Sequence, residues 1–413
     1  MYEIVTRCRI CGSRDLIEVL DLGAQPLANH FRLPSNPGPE PVPLKLCHCQ
    51  SCKTAQITAT VRPEELFRNY LWVTGTSIAA RSYSETFVDR IARVLAGLNR
   101  LTETRPRFVV EIASNDGTFL RRFQERGWRV LGVEPVDTIA ESAVGSGVPT
   151  IAAFFDAKVA EHLFENHGPA DVVVAKHFVH VAEIHSVIEG LATLAGERGI
   201  VVIEVHSAEV ILQDLHYDSI YHEHLFYFSL ETLSGLCHMH GLYPFEVFQS
   251  PTSGGSLTVY FSRQRHLSSG RLEKAVDREH RLGTNGCRRW LAFAEAAVEH
   301  ATTLKRVVGR HSVDRNVIGY GASARSSTML NFARITSSEV AAVIDQNDLK
   351  HGRLTPGTDI PIVSPEVGMQ ELGPADSVLL SAWNFEDEIV AQLRSSGFRG
   401  DIIVPLPREV RVI

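Results

Sequence analysis

The stretch Phe108-Val109-Val110-Glu111-Ile112-Ala113-Ser114-Asn115-Asp116-Gly117-Thr118 decides the fold. It reads as a buried strand, then a turn, and Phe119 to Arg126 follows as a helix. The apolar run recurs in Val130-Leu131-Gly132-Val133-Glu134, Asp171-Val172-Val173-Val174-Ala175 and Ile200-Val201-Val202-Ile203-Glu204. Strands alternating with helical stretches predict a doubly wound, Rossmann-like α/β unit. Its ligand is expected beyond the C-terminal ends of the strands.

The turn narrows the ligand. A pyrophosphate cradle needs a G-x-G-x-x-G run, and this turn has only Gly117. Glu134 ends the next strand, 18 residues beyond Asp116, where an acid binds ribose hydroxyls in such folds. A nucleoside cofactor with a cationic group and no pyrophosphate fits this pattern, which predicts S-adenosylmethionine. Glu111 and Asp116 are expected near its amino group or sulfonium. The candidate cofactor set is Glu111, Ala113, Asn115, Asp116, Gly117, Glu134, Pro135 and Lys176, with Thr76 and Ser77 from a hydroxyl-rich segment.

On the N-terminal side, residues 1–60 read as a metal-stapled module. Cys8-Arg9-Ile10-Cys11 and Cys49-Gln50-Ser51-Cys52 flank a proline-rich spacer, and five of the chain's seven cysteines lie between Cys8 and Cys52. Two such pairs can place Cys8, Cys11, Cys49 and Cys52 tetrahedrally around a structural Zn²⁺. Cys47 and His48 are spare candidates. Pro63-Glu64-Glu65 opens a helix, with proline in the first turn and acids at the positive end of the dipole. A second helix is expected through Phe87, Val88, Ile91, Val94 and Leu95, and a polar linker over 99–107.

On the C-terminal side, Asp214 to Ser229 packs three histidines, three tyrosines and three carboxylates among Ile220, Leu225, Phe226 and Phe228. Titratable groups beside apolar ones suggest a lined cleft. Gly254-Gly255 allows close backbone approach to a ligand and equally makes a hairpin turn. Residues 266–315 read as a charged helical arm with an apolar stripe through Trp290, Leu291, Phe293 and Ala297. A second α/β unit begins at Val317-Ile318-Gly319-Tyr320-Gly321, where a helix N-terminus behind a glycine turn offers an anion site.

Composition bounds the partners. Net charge is −7, with acids and bases interspersed, and 44% of residues are hydrophobic. This argues against nucleic-acid or membrane-surface binding. No run of about eighteen apolar residues is present, and Met1–Arg7 has no apolar signal core. A cytoplasmic monomer acting on a small molecule is expected.

Several motifs together resemble one family. They are C-R-I-C-G at Cys8, D-L-G-A-Q-P-L-A-N at Asp21, C-Q-S-C-K-T-A-Q at Cys49, N-D-G at Asn115, G-V-E-P at Gly132, I-Y-H-E-H-L-F-Y-F-S at Ile220 and P-G-T-D-I-P-I at Pro356. The chain resembles the nucleotide-sugar C-methyltransferases of antibiotic deoxysugar pathways over nearly its whole length. The resemblance implies a zinc module (1–65), a central S-adenosylmethionine domain (66–265) and a C-terminal Rossmann-like domain that helps hold a nucleotide sugar (266–413). It implies methylation next to the ketone of a 4-keto-deoxysugar, C-3 before C-5, with the sugar carried on TDP. It implies catalytic roles for Tyr221, Glu223, His224 and His180. Candidate substrate contacts are Tyr70, His222, Gly254, Gly255, Ser256, Gly321, Ser323, Arg325, Asn331, Trp383 and Asn384. The chain departs from the family pattern at Ser253 and Tyr83, where histidine is usual, and at Thr258, where arginine is frequent. His224 is the expected base, with Tyr221 as partner or alternative and Glu223 orienting the imidazole. A nicotinamide-dependent oxidoreductase using the C-terminal unit is the rival class.

Overall fold

The structure is a computed structural model that describes residues 1–67, 73–98, 106–176 and 178–413. Tyr70 and most of the expected linker lie outside the described residues. Three sheets carry most of the fold. The central one has seven strands in the spatial order Tyr243–Ser250, Ser256–Ser262, Ile200–His206, Val172–Lys176, Phe108–Ile112, Arg129–Glu134, Thr150–Ala152. The last five run parallel, and Ser256–Ser262 runs antiparallel to Ile200–His206. Chain order reverses beside Phe108–Ile112, so the crevice opens above this strand, at the turn Ala113–Gly117.

The strands are apolar on both faces because helices cover both. The helix Ile78–Gly97 buries Phe87, Val88, Ile91 and Leu95 completely, one stripe at helical spacing. Each such side chain contributes roughly 1.5–3 kcal/mol of burial. Ser77 caps this helix, its hydroxyl accepting from Ala80 N at 3.2 Å.

The N-terminal sheet is built from Leu16–Gln25, Val42–Cys49 and Ala55–Ile57, and its fourth strand is Phe226–Tyr227 from the titratable stretch. Phe226 pairs with Gln56 and Tyr227 with Ala55. The C-terminal sheet runs Ile362–Val363, Ala342–Ile344, Val317–Tyr320, Ser377–Leu379, Asp401–Val404, Arg411–Val412, parallel except for the last.

The expected arm is two helices, Gly270–Leu282 and Cys287–Asp314. Trp290, Phe293 and Ala297 are buried, whereas Leu291 is exposed. One residue past Trp290 is a turn of about 100° around the helix, which carries Leu291 off the buried face. The longer helix packs against Leu16–Gln25 of the N-terminal sheet, the helix Ala208–Asp214 that follows the central strand Ile200–His206, and Val317–Tyr320 of the C-terminal sheet. No helix among the described residues is long and apolar enough to cross a membrane.

Candidate active site

The cofactor turn is held open by its own backbone. Ala113, Asn115 and Gly117 have φ of 51°, 51° and 75°. A Cβ at Gly117 would lie 2.8 Å from Val148, so this position has no room for a side chain. Asn115 Oδ1 accepts from Thr74 N at 2.8 Å, and Asp116 Oδ2 accepts from Gly75 N at 3.0 Å. Glu134 accepts from Asn115 N at 2.9 Å and, across Pro135, from Val136 N at 3.0 Å. The acid expected on a ribose therefore also ties two loops together. Thr76 is exposed and donates to Val73 O at 2.7 Å.

Glu111 is buried beneath this turn, and its Oε2 has no hydrogen-bond partner among the described residues. Burial pushes its carboxyl up to about 8, against the pull of Lys176. The Lys176 ammonium, lowered by burial, lies over the Phe119 ring. An orphaned buried carboxylate oxygen below a turn closed to side chains suits a compact cationic ligand such as S-adenosylmethionine.

Tyr221 and His224 are half-buried, whereas His222 and Glu223 between them are buried. The Tyr221 hydroxyl lies 2.7 Å from His224 Nε2, and His224 Nδ1 lies 2.9 Å from Ser219 O. A carbonyl only accepts, so Nδ1 carries the proton and Nε2 presents its lone pair to Tyr221. The His180 ring stacks on His224 at 5.1 Å between centroids.

Glu223 is placed differently from the expectation. Its two oxygens accept from Asn29 Nδ2 at 2.8 and 3.0 Å, and burial pushes its carboxyl up to about 7. The imidazole of His224 is oriented by the Ser219 carbonyl, and Glu223 faces the N-terminal module instead. His222 also turns that way, Nε2 donating to Val42 O at 3.2 Å, and burial lowers it to about 4.

The remaining candidates divide. Gly254, Arg325 and Trp383 come together around Asp218, while Asn384 is exposed along a groove shared with Gly254, Trp383, Phe385, Glu386 and Pro407. Arg325 Nε and Nη2 donate to Asp218 at 3.0 and 2.8 Å, Nη1 donates to Ser253 O at 2.8 Å, and Trp383 Nε1 donates to Asp218 at 2.8 Å. Gly254 and Gly255 form the tip of a hairpin, and a Cβ at Gly254 would reach His216 and Trp383 at 3.3 Å. Ser256 donates to Thr252 O at 2.9 Å within that hairpin. The Asn331 amide donates to Ser327 O at 2.8 Å and Pro356 O at 2.9 Å. Ser323 caps the helix Ala324–Phe332. At Gly321 a Cβ would meet Ala382 at 2.3 Å. The acid that would hold a dinucleotide ribose here, Asp345, instead accepts from Ala322 N at 2.8 Å and Lys350 at 3.1 Å.

Asn29 and Asp218 were not among the candidates. Asn29 ends the D-L-G-A-Q-P-L-A-N motif and Asp218 lies inside the titratable stretch, so the signal was present in both cases.

The four cysteines meet as expected, all their sulfurs within 4.8 Å of one another. Cys8–Cys52 and Cys11–Cys49 sulfurs are each 3.5 Å apart. Tetrahedral Zn–S bonds of about 2.3 Å place sulfurs about 3.8 Å apart, so the set fits zinc. Four thiolates leave no coordination position for water, which makes the site structural. The spare candidates point elsewhere: Cys47 donates to Gln56 O at 3.2 Å and His48 to Asn285 O at 3.1 Å.

A methyltransferase-type cofactor turn and a zinc-stapled module define an S-adenosylmethionine-dependent methyltransferase with a structural zinc. Family models agree: a zinc binding domain matches residues 8–67, a methyltransferase domain 84–247 and a C-methyltransferase C-terminal domain 251–407. C-methyltransferase NovU of Streptomyces niveus is 31% identical over 99% of this chain and 97% of its own length. The chain belongs to this C-methyltransferase family. Among solved structures, magnesium protoporphyrin IX methyltransferase of Synechocystis PCC 6803 with bound SAH is 14% identical at a TM-score of 0.35, covering 45% of this chain and 85% of that one. The PH0226 protein of Pyrococcus horikoshii OT3 is 15% identical at 0.35, covering 48% and 99%.

Proposed function

We propose that the enzyme methylates carbon next to the ketone of a nucleotide-linked 4-keto-deoxysugar, at C-3, with TDP as the carrier. The observation that carries this reading is the Tyr221–His224 pair, in which a half-buried imidazole protonated at Nδ1 accepts at Nε2 from a half-buried tyrosine hydroxyl. A carbon nucleophile must be generated before it can be methylated. The C–H next to a ketone is acidic enough for an imidazole, because the electron pair left behind delocalises onto the carbonyl oxygen.

Tyr221 passes its phenolic proton to His224 Nε2 as its oxygen takes the proton from the sugar carbon, or moves aside so that Nε2 takes that proton directly. The electron pair moves to the sugar's carbonyl oxygen, where the Tyr221 hydroxyl and the His180 imidazole are the donors at hand. S-Adenosylmethionine supplies the electrophilic methyl group when bound. Glu111, Asp116 and Glu134 line its side of the crevice, and the fixed turn orients what they hold.

The test uses a TDP-linked 4-keto-deoxysugar in heavy water without methyl donor. Deuterium is expected at the carbon to be methylated, and its position distinguishes C-3 from C-5. His224→Ala is expected to lower turnover by roughly two to four orders of magnitude. Near wild-type turnover in this variant would move the base to Tyr221 or His180.

A further inference from the structure

The turn that carries the Ser219 carbonyl is held almost entirely from the C-terminal side of the molecule. Asp214 accepts from Arg408 Nε at 2.9 Å. The Tyr217 hydroxyl, fully buried, donates to His300 Nδ1 at 3.1 Å, and His300 Nε2 donates to Pro405 O at 2.7 Å. Asp218, also buried, takes two bonds from Arg325 and one from Trp383. The Arg325 guanidinium lies over the Trp383 ring, 4.6 Å from its centroid, so each donor holds the other in place. Ser219 follows immediately, and its carbonyl receives Nδ1–H of His224.

We propose that Arg325 and Trp383 are positioning residues for proton abstraction: through Asp218 they fix the Ser219 carbonyl, which locks His224 in the Nδ1–H tautomer with the Nε2 lone pair turned to Tyr221. The inference rests on His224 being the base. It gives the C-terminal sheet a part in the chemistry that contact with substrate does not require. A bidentate guanidinium and an indole N–H fix a carboxylate in the plane and along the turn, so the adjoining peptide has little freedom to rotate. Were that peptide to rotate, the Nδ1–H bond would be lost, and the imidazole could flip its proton to Nε2. That tautomer has no lone pair facing Tyr221.

The experiment uses full-length protein with ¹⁵N-labelled histidine, the His224 signals being assigned by their loss in His224→Ala. Wild type is expected to show one Nδ1–H tautomer. Trp383→Phe removes the indole N–H and keeps a smaller aromatic ring, while Asp218→Asn weakens both contacts. Both are expected to show mixed tautomers, with kcat on a TDP-linked 4-keto-deoxysugar lowered on the order of 10-fold or more. Affinity for S-adenosylhomocysteine is expected to stay within about 2-fold, since the cofactor side of the crevice is built from Glu111, Asp116 and Glu134. If Asp218→Asn fails to fold, Trp383→Phe alone decides. An unchanged tautomer, or a changed tautomer with unchanged kcat, overturns the proposal. Turnover retained by His224→Ala overturns the base assignment instead, and the tautomer measurement, which needs no substrate, separates the two failures.

Discussion

Glu223 precedes His224 in the chain, yet the two side chains serve different neighbours. Tyr221 to His224 form a turn in which His224 N donates to Tyr221 O at 2.9 Å, which folds the imidazole back onto the Tyr221 hydroxyl while Glu223 meets Asn29. Burial without a cation raises the Glu223 carboxyl to about 7 from its ordinary 4.5. A group whose folded value lies above its unfolded one favours the fold below the unfolded value, and that contribution is lost as pH rises through the folded value. Wild type is therefore expected to lose stability between about pH 5 and 8 relative to Glu223→Gln, by on the order of 2–3 kcal/mol. Thermal melts of both proteins across that range check it, and parallel curves would remove Glu223 as the titrating group. Tyr83 and Thr258, distant in the chain, meet at one buried acid. The Tyr83 hydroxyl donates to Glu204 at 2.9 Å and Thr258 donates to the same oxygen at 3.1 Å. Two positions distant in sequence thus share one buried carboxylate.

At the scale of elements, the turn between Phe108–Ile112 and Thr118–Gln124 was legible because its logic is local. An apolar run, a single glycine and an acid at the end of the next strand are all visible in the sequence. Its anchoring to Thr74 and Gly75 was not legible, since hydrogen bonds to a backbone 41 residues away leave no periodic trace. The zinc knuckles were legible from spacing alone, because four thiolates have few other uses. The bonds of Asn331 to Ser327 O and Pro356 O were not legible, since an amide at a helix end reads the same whether it binds substrate or its own chain. Replacing Gly117 with Ala is expected to weaken S-adenosylhomocysteine binding. The left-handed φ costs roughly 1–2 kcal/mol in a residue with a Cβ, before the contact with Val148 is counted. Glu134→Ala is expected to cost roughly 1–3 kcal/mol of the same affinity, by freeing Asn115 and Val136 as well as any ribose contact. Calorimetric titration of both variants reads these losses. Unchanged affinity in both would place the cofactor on other elements.

At the scale of the whole molecule, Asp214 to Ser229 is gripped from two sides. Asp214, Tyr217 and Asp218 are held from the C-terminal side, while His222, Glu223 and the strand Phe226–Tyr227 are held by the zinc module. Tyr221 and His224 stand between the two grips. The same sixteen residues were conspicuous in the sequence for their titratable side chains, but strand pairing with Ala55–Ile57 was hidden, because a two-residue strand has no alternation to read. This arrangement gives a structural metal a consequence at a distance. Zinc closes the ends of the sheet that Phe226–Tyr227 completes, and Gln56, which pairs with Phe226, also donates to Cys8 Sγ at 3.0 Å. Removing the metal frees the knuckles and loosens Asn29, Val42 and Gln56 together, whereas Glu111, Gly117 and Glu134 sit on the central sheet and depend on none of them. Stripping zinc with a strong chelator is therefore expected to lower turnover on the order of 100-fold, the cost of misplacing reacting groups by about 1 Å. Affinity for S-adenosylhomocysteine is expected to change little, and readdition of one equivalent of zinc to restore turnover. Equal loss of both properties would mean that the module supports the whole fold and has no selective hold on the catalytic stretch.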